Sequence, residues 1–203
     1  MDARSSKPSR SPLLLVSGFG AFQGVPENPS EVLAARLAET PPQGWRVAPV
    51  SLPVSFARGP KALDEVLATS EPSFLLGLGV HRGETLRLEL RARARLLRRN
   101  RPDVDGVPAV EATVGAGSLG SALRPALEAA LVEHVRPRAS WVVSEDAGGY
   151  VCERVYRHLL ESAASRGVEA VFVHVPHLTY MTEGAQLDEL RALCERVRPE
   201  LPA

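Results

Sequence analysis

Cysteine is scarce in this chain: Cys152 and Cys194 are the two among 203 residues. Two thiols so far apart in sequence make neither a disulfide framework nor a four-ligand zinc site, and the composition reads as that of a cytoplasmic protein in a reducing compartment. Net charge is lacking as well, with 24 Lys and Arg against 24 Asp and Glu. No global field therefore draws the chain to nucleic acid or to an anionic membrane, and any partner has to be found by a local site. Long hydrophobic runs are missing. The first apolar run, Leu13-Leu14-Leu15-Val16, is too short for a signal core or a membrane span; it reads as a strand behind a disordered tail over residues 1–11. The glycine-rich loop from Gly18 to Gly24 carries neither the Gly-x-Gly-x-x-Gly fingerprint nor the Lys-Ser/Thr ending of a phosphate loop. No metal and no cofactor are expected. What remains, 44% hydrophobic and 24% charged residues, suits one domain over residues 12–203 with a full core.

Hydrophobic periodicity divides that domain into alternating strands and helices. Strands are predicted over 13–17, 46–52, 74–78, 141–143 and 170–176, and helices from Pro29, over 54–68, over 122–135, from Cys152 and over 183–197. Asn28 suits the N-cap and Pro29 the first turn of the first helix. Such alternation predicts a single α/β domain with a largely parallel central sheet. Residues 86–96 break the rhythm, with Leu86, Leu88, Leu90, Ala92, Ala94 and Leu96 on one face and Arg87, Glu89, Arg91, Arg93 and Arg95 on the other. Period two predicts one half-buried strand whose charged face is solvated or turned to another subunit. Glu89 is the lone acid there, flanked by Arg87 and Arg91. Residues 107–114 read as a further short strand.

Two residues carry candidate chemistry. The apolar Trp141-Val142-Val143 leads through Gly148-Gly149 to Cys152, which falls in the first turn of a helix. Free backbone N–H groups and the helix dipole favour an anion there, so the thiol is placed as a nucleophile; the same residue type is also common as a small buried hydrophobe. His174 ends the strand before Pro176. If the Trp141 and Ala170 strands are neighbours joined by a right-handed crossover through the Cys152 helix, both side chains open on one sheet edge. An imidazole there can take the thiol proton and return it to a leaving amine. Cys194 lies on the apolar side of its helix and reads as packing.

Several stretches together resemble the pyroglutamyl-peptidase I family of cysteine peptidases. Ser17-Gly18-Phe19-Gly20-Ala21-Phe22-Gln23-Gly24 with Asn28-Pro29-Ser30 is similar to its N-terminal signature, and Leu52-Pro53-Val54 to its Leu-Pro-Val segment. Ser144-Glu145-Asp146-Ala147-Gly148-Gly149-Tyr150-Val151-Cys152 resembles its nucleophile motif, and Phe172-Val173-His174-Val175-Pro176 its histidine motif. The resemblance implies a metal-free Cys-His-Glu exopeptidase that removes an N-terminal pyroglutamyl residue from peptides, built as a single-domain three-layer α/β/α sandwich with a mixed, mostly parallel central sheet and acting in the cytoplasm as a homotetramer or dimer. Cys152 would attack, His174 would be the base, and Glu89 is the counterpart of the acid. Phe19 and Phe22 would sandwich the lactam ring, Tyr150 and Val151 would add wall, and Leu78 stands where some members place a pocket glutamine. Other departures are His81 for a small residue and Glu153 for an asparagine, which sets a carboxylate beside the thiol. They leave room for two alternatives: a thiol hydrolase of another small amide, or a non-catalytic binding or assembly protein of the same fold.

Overall fold

In the computed structural model, which describes residues 11–198, the Asn-Pro-Ser stretch starts a helix as its chemistry dictates. The Asn28 side chain accepts from the Ser30 N–H, and Pro29 occupies the first turn, where its missing donor costs nothing. The expected tail falls outside the described residues, apart from Ser11. Along the chain run β1 (Leu13–Phe19), α1 (Pro29–Glu39), β2 (Arg46–Leu52), α2 (Arg58–Leu67) and β3 (Phe74–Val80). Next come five short strands, β4 (Leu86–Glu89), β5 (Arg91–Ala92), β6 (Arg95–Leu96), β7 (Ala112–Thr113) and β8 (Leu119–Gly120). The chain then continues through α3 (Pro125–Val135), β9 (Trp141–Ser144), α4 (Val151–Arg166), β10 (Glu169–Val175) and α5 (Glu183–Arg196).

Six strands make the central sheet in the order β2-β1-β3-β10-β4-β9. The first four are parallel; β4 runs antiparallel to β10, and β9 is parallel to β4. Helices α1, α3 and α5 bury Leu33, Leu37, Leu131, Leu190 and Leu193 against one face. The other face receives Leu63 of α2 and Val155, Tyr156 and Leu159 of α4. This is the three-layer, mostly parallel α/β/α sandwich that the family resemblance implies.

Two expectations need correction. The Trp141 and Ala170 strands are not neighbours in a right-handed crossover: β4 lies between β9 and β10, and β9 is antiparallel to β10. Helix α4 reaches the carboxyl ends of β3 and β10 another way. The 145–150 loop carries the chain back up, and α4 then descends over β3, with Cys152 above Gly79 and Leu159 above Gly77.

The second correction concerns 86–96, which is not one strand with a free charged face. Only β4 enters the sheet, in its interior, so its Glu89 is fully buried beneath α4. From β5 onward the chain leaves the sheet as an arm. It pairs with itself through β5–β8 and β6–β7 and bonds its Leu97 N–H to the Gly149 carbonyl. Its tip is moored where the Asp103 carboxylate accepts from Phe56 N–H and Asp105 binds Ser55. Three arginines at the start of the arm are paired within the chain: Arg91 with Glu145, Arg93 with Asp146 and Glu153, Arg95 with Glu111.

Tyr156 ties the central helix to this inserted strand, its hydroxyl donating to the Glu89 carbonyl at 2.7 Å inside the core. Replacing it by Phe removes that side-chain bond to a carbonyl of the β4–β10 ladder, and Tyr156→Phe is expected to lose about 1 kcal/mol of unfolding free energy. Urea titration at pH 7 checks this, an unchanged midpoint counting against the bond.

Candidate active site

Register partners in a sheet share a face, and the pairings around β10 gather the site. His174 is opposite Gly79 on β3 and Arg87 on β4, and Phe172 is opposite Gly77 and Glu89. All six therefore face α4. Both glycines are needed for close approach. A Cβ at Gly79 would lie 3.1 Å from the Cys152 Sγ and 2.9 Å from the Phe172 ring. Without side chains on this floor, the helix start and the histidine come together.

His174 is buried and its Nδ1 lies 2.8 Å from Glu89 Oε1. A carboxylate only accepts, so Nδ1 carries a hydrogen and Nε2 is left to face the Cys152 thiol, whose Sγ lies over Gly79 beside the ring. Burial alone would lower the imidazole pKa; the hydrogen bonds and charges of Cys152 and Glu89 outweigh it and raise the value to about 9. The Glu89 carboxylate is held at one oxygen. Arg87 Nε stands 3.7 Å from the same Oε1, and Oε2 has no protein partner.

Cys152 is the second residue of α4, which begins with no side-chain cap at Tyr150. The first intrahelical bond is made by the Arg154 N–H, so the Cys152 N–H is free at the positive end of the helix dipole. The loop before it is pinned from several sides. Gly149 takes a positive φ of 66°, and a Cβ there would meet Leu97 at 2.6 Å. Its N–H donates to Glu153 Oε2 at 3.1 Å, while Glu153 Oε1 accepts from the Arg93 N–H at 2.6 Å. The Glu153 carboxylate is thus engaged by the arm and the loop. Burial raises its pKa, and the bonds from Arg93 and Gly149 oppose the rise.

Above this pair opens a cavity of about 520 Å³, bounded by His81, Arg82, Asn100 and Tyr150 among others. At one end the Arg101 guanidinium sits 4.8 Å from the Phe22 ring centre and 5.5 Å from that of Tyr150.

With this geometry in view, comparison with known proteins is decisive. The family model for pyroglutamyl peptidase matches residues 13–190. This chain belongs to the pyroglutamyl peptidase family. A pyrrolidone-carboxylate peptidase of Gloeobacter violaceus is 32% identical over 168 residues, 81% of this chain and 82% of the relative. That of Clavibacter michiganensis is 29% identical over 183 residues, covering 89% and 85%. Among solved structures, the pyrrolidone carboxyl peptidase of Fervidobacterium islandicum superposes with a TM-score of 0.79 at 26% identity, over 91% of this chain and 97% of that one. The Thermococcus litoralis structure superposes at 0.82 and 20% identity, over 95% and 100%, a likeness of fold.

Measured against the family pattern, the structure brings Cys152, His174 and Glu89 together and puts Phe22 and Tyr150 at the cleft. It does not bring Leu78, Phe19 or Val151 there. Leu78 alternates with Gly77 and Gly79, so it points through the sheet into the core beneath α1 and α5. Phe19, the last residue of β1, and Val151, the first of α4, are buried in the core on the α4 side. The ring pair facing the cleft is Phe22 with Tyr150, in place of the expected Phe19 with Phe22. Sequence reasoning missed Arg82, Arg99, Asn100 and Arg101 as cleft residues. The turn-rich stretch after Asn100 was the available signal for the last two.

His174 and Glu153 give different tests. For His174, the folded pKa of about 9 exceeds the ordinary 6.5. Its contribution to stability is therefore complete below pH 6.5 and is lost as pH rises through 9. The urea midpoint should fall between pH 6 and pH 10 by more in the wild type than in His174→Gln; equal falls would deny the linkage. Glu153→Ala leaves the Arg93 and Gly149 donors without an acceptor, and is expected to lower stability by about 2–3 kcal/mol, read by the same titration.

Proposed function

We propose that this protein is a cysteine exopeptidase that hydrolyses the bond after an N-terminal pyroglutamyl residue. The observation that carries the reading is the Glu89–His174–Cys152 chain of contacts in a member of this family. His174, with its pKa raised to about 9, holds at Nε2 the proton taken from the thiol, and Sγ bonds to the pyroglutamyl carbonyl carbon as the carbonyl oxygen becomes an anion. The free Cys152 N–H at the start of α4 is placed to meet that charge. His174 then gives its proton to the leaving amine as the C–N bond breaks. A water, deprotonated by the same imidazole, attacks the thioester, releasing pyroglutamate and restoring the thiol. Glu89 keeps Nδ1 protonated and stabilises the imidazolium.

The lactam is flat and uncharged, and the rings of Phe22 and Tyr150 offer it apolar faces. The Arg101 guanidinium now lies against those two rings, so a bound lactam displaces or overlies it. Both cysteines are free, which supports a reducing compartment, the cytoplasm. Val104, Val107 and Val110 expose an apolar stretch of the arm that suits contact between copies in a homo-oligomer.

Release of a fluorescent amine from a pyroglutamyl amide tests the activity, with a prolyl amide as the control for specificity. Cys152→Ala is expected to abolish turnover, and Glu89→Gln to lower kcat by about 10²-fold or more. Full activity in Cys152→Ala would overturn the mechanism.

A further inference from the structure

The cleft around the reacting pair is basic in a chain with no net charge. Arg82, Arg87, Arg99 and Arg101 line it, and Asp146 is the single acid among its lining residues. Asp146 is already paired with Arg93. Nor are the four arginines equivalent. Arg99 is bound to the Gly148 carbonyl, and Arg101 is stacked on Phe22 and Tyr150. Arg87 faces Glu89 Oε1 at 3.7 Å through Nε and donates to Ser144 Oγ at 2.9 Å through Nη2, which leaves Nη1 for a further anion. Arg82 is exposed and makes no hydrogen bond or ion pair among the described residues.

These charges have a direction. The cavity over Cys152 shares Tyr150 and Arg101 with a small hollow walled by Phe22, which is its aromatic end. It shares His81, Arg82 and Arg87 with a second hollow that runs over Val142, Val143 and Ser144. That is its basic side, and His81 and Arg82 also border a hollow that reaches back to Phe22, so Arg82 stands between the two. His81 makes the basic side rigid: its Nε2 bonds the Thr85 carbonyl at 2.7 Å, and its Nδ1 accepts from the Gly83 N–H at 3.1 Å. The turn carrying Arg82 is thereby closed on itself. A leaving chain that runs from Phe22 and Tyr150 across Sγ into the hollow over Val142, Val143 and Ser144 meets Arg82 and Arg87.

Resting on the pyroglutamyl reading of this site, we propose that Arg82 and Arg87 form a subsite for a carboxylate one residue beyond the scissile bond. Two sources share that chemistry: an acidic side chain on the second residue, or the free C-terminus of a dipeptide. Substrates of this class are pyroglutamyl peptides with an anionic leaving group.

Four substrates separate the possibilities: pyroglutamyl-glutamyl amide, pyroglutamyl-alanine as the free acid, pyroglutamyl-alanyl amide and pyroglutamyl-lysyl amide. At low ionic strength, kcat/KM for one or both of the first two is expected to exceed that of the alanyl amide by about fivefold, and the lysyl amide to fall below it. The relative rates of the first two identify the source of the carboxylate. Half-molar salt should shrink the preference, and Arg82→Gln should reduce it by at least about half. Equal turnover of all four substrates, or an undiminished preference in Arg82→Gln, would overturn the subsite while leaving the peptidase reading intact. No turnover of any of them would overturn both.

Discussion

The contact on which the site depends is the buried pair between Glu89 and His174. An ionised carboxylate without a partner is costly to bury, and Glu89 is fully buried. The sheet resolves this by its order. Because β4 is inserted antiparallel beside β10, Glu89 is opposite Phe172 and one step diagonal from His174. Diagonal neighbours on one face are within reach of side chains as long as these two, and the observed 2.8 Å contact results. A parallel β9–β10 neighbourhood would have put Trp141-Val142-Val143-Ser144 beside His174 and left the imidazole without an acid. The exceptional strand in a mostly parallel sheet thus supplies the residue that orients the base.

Bringing the thiol to that base is a packing problem solved by small residues and a latch. Gly77 and Gly79 lower the floor of the sheet so that Phe172, Leu159 and Cys152 can lie over it. The start of α4 has no side-chain cap, which would ordinarily weaken a helix end. Glu153, the third residue of the helix, compensates by reaching back to the Gly149 N–H and out to Arg93. It fixes the loop from below and leaves the N–H of Cys152 unoccupied. The carboxylate beside the nucleophile is therefore a strut between helix, loop and arm.

Much of this was legible in the residues. Apolar periodicity located β2 at its observed bounds and each helix to within a few residues, and Asn28-Pro29-Ser30 marked the start of α1. The motif around Cys152 and the strand ending at His174 identified the pair that the structure joins. What periodicity could not carry was long-range order. Alternation over 86–96 is the same whether the strand stays in the sheet or leaves it after four residues, and pairing partners such as Glu145, Glu111 and Glu153 for the arm's arginines are distant in sequence. Leu78, Phe19 and Val151 were misplaced for a related reason. Motif position says that a residue is near the site in sequence, while the alternation of a strand or the first turn of a helix decides which layer it enters. At Leu78 the alternation was already readable, since Gly77 and Gly79 on either side must share the opposite face.

The two histidines at the cleft show how the same side chain is set to different tasks by its neighbours. His81 and His174 have ring centres 5.9 Å apart, and burial disfavours the charged form of each. For His174 the bonds and charges of Cys152 and Glu89 reverse that effect. For His81 they do not: burial dominates, the nearby His174 and Arg87 add to it, and its pKa is lowered despite the bond to Thr85. A neutral ring has one donor and one acceptor, which is the complement that the Thr85 carbonyl and the Gly83 N–H require. Protonation would place a second hydrogen against the Gly83 donor and a second cation beside the imidazolium. His81 is thus suited to hold the turn that presents Arg82, and His174 to carry the proton. Charging one of the two works against charging the other, which keeps the mobile proton on the histidine that faces the thiol.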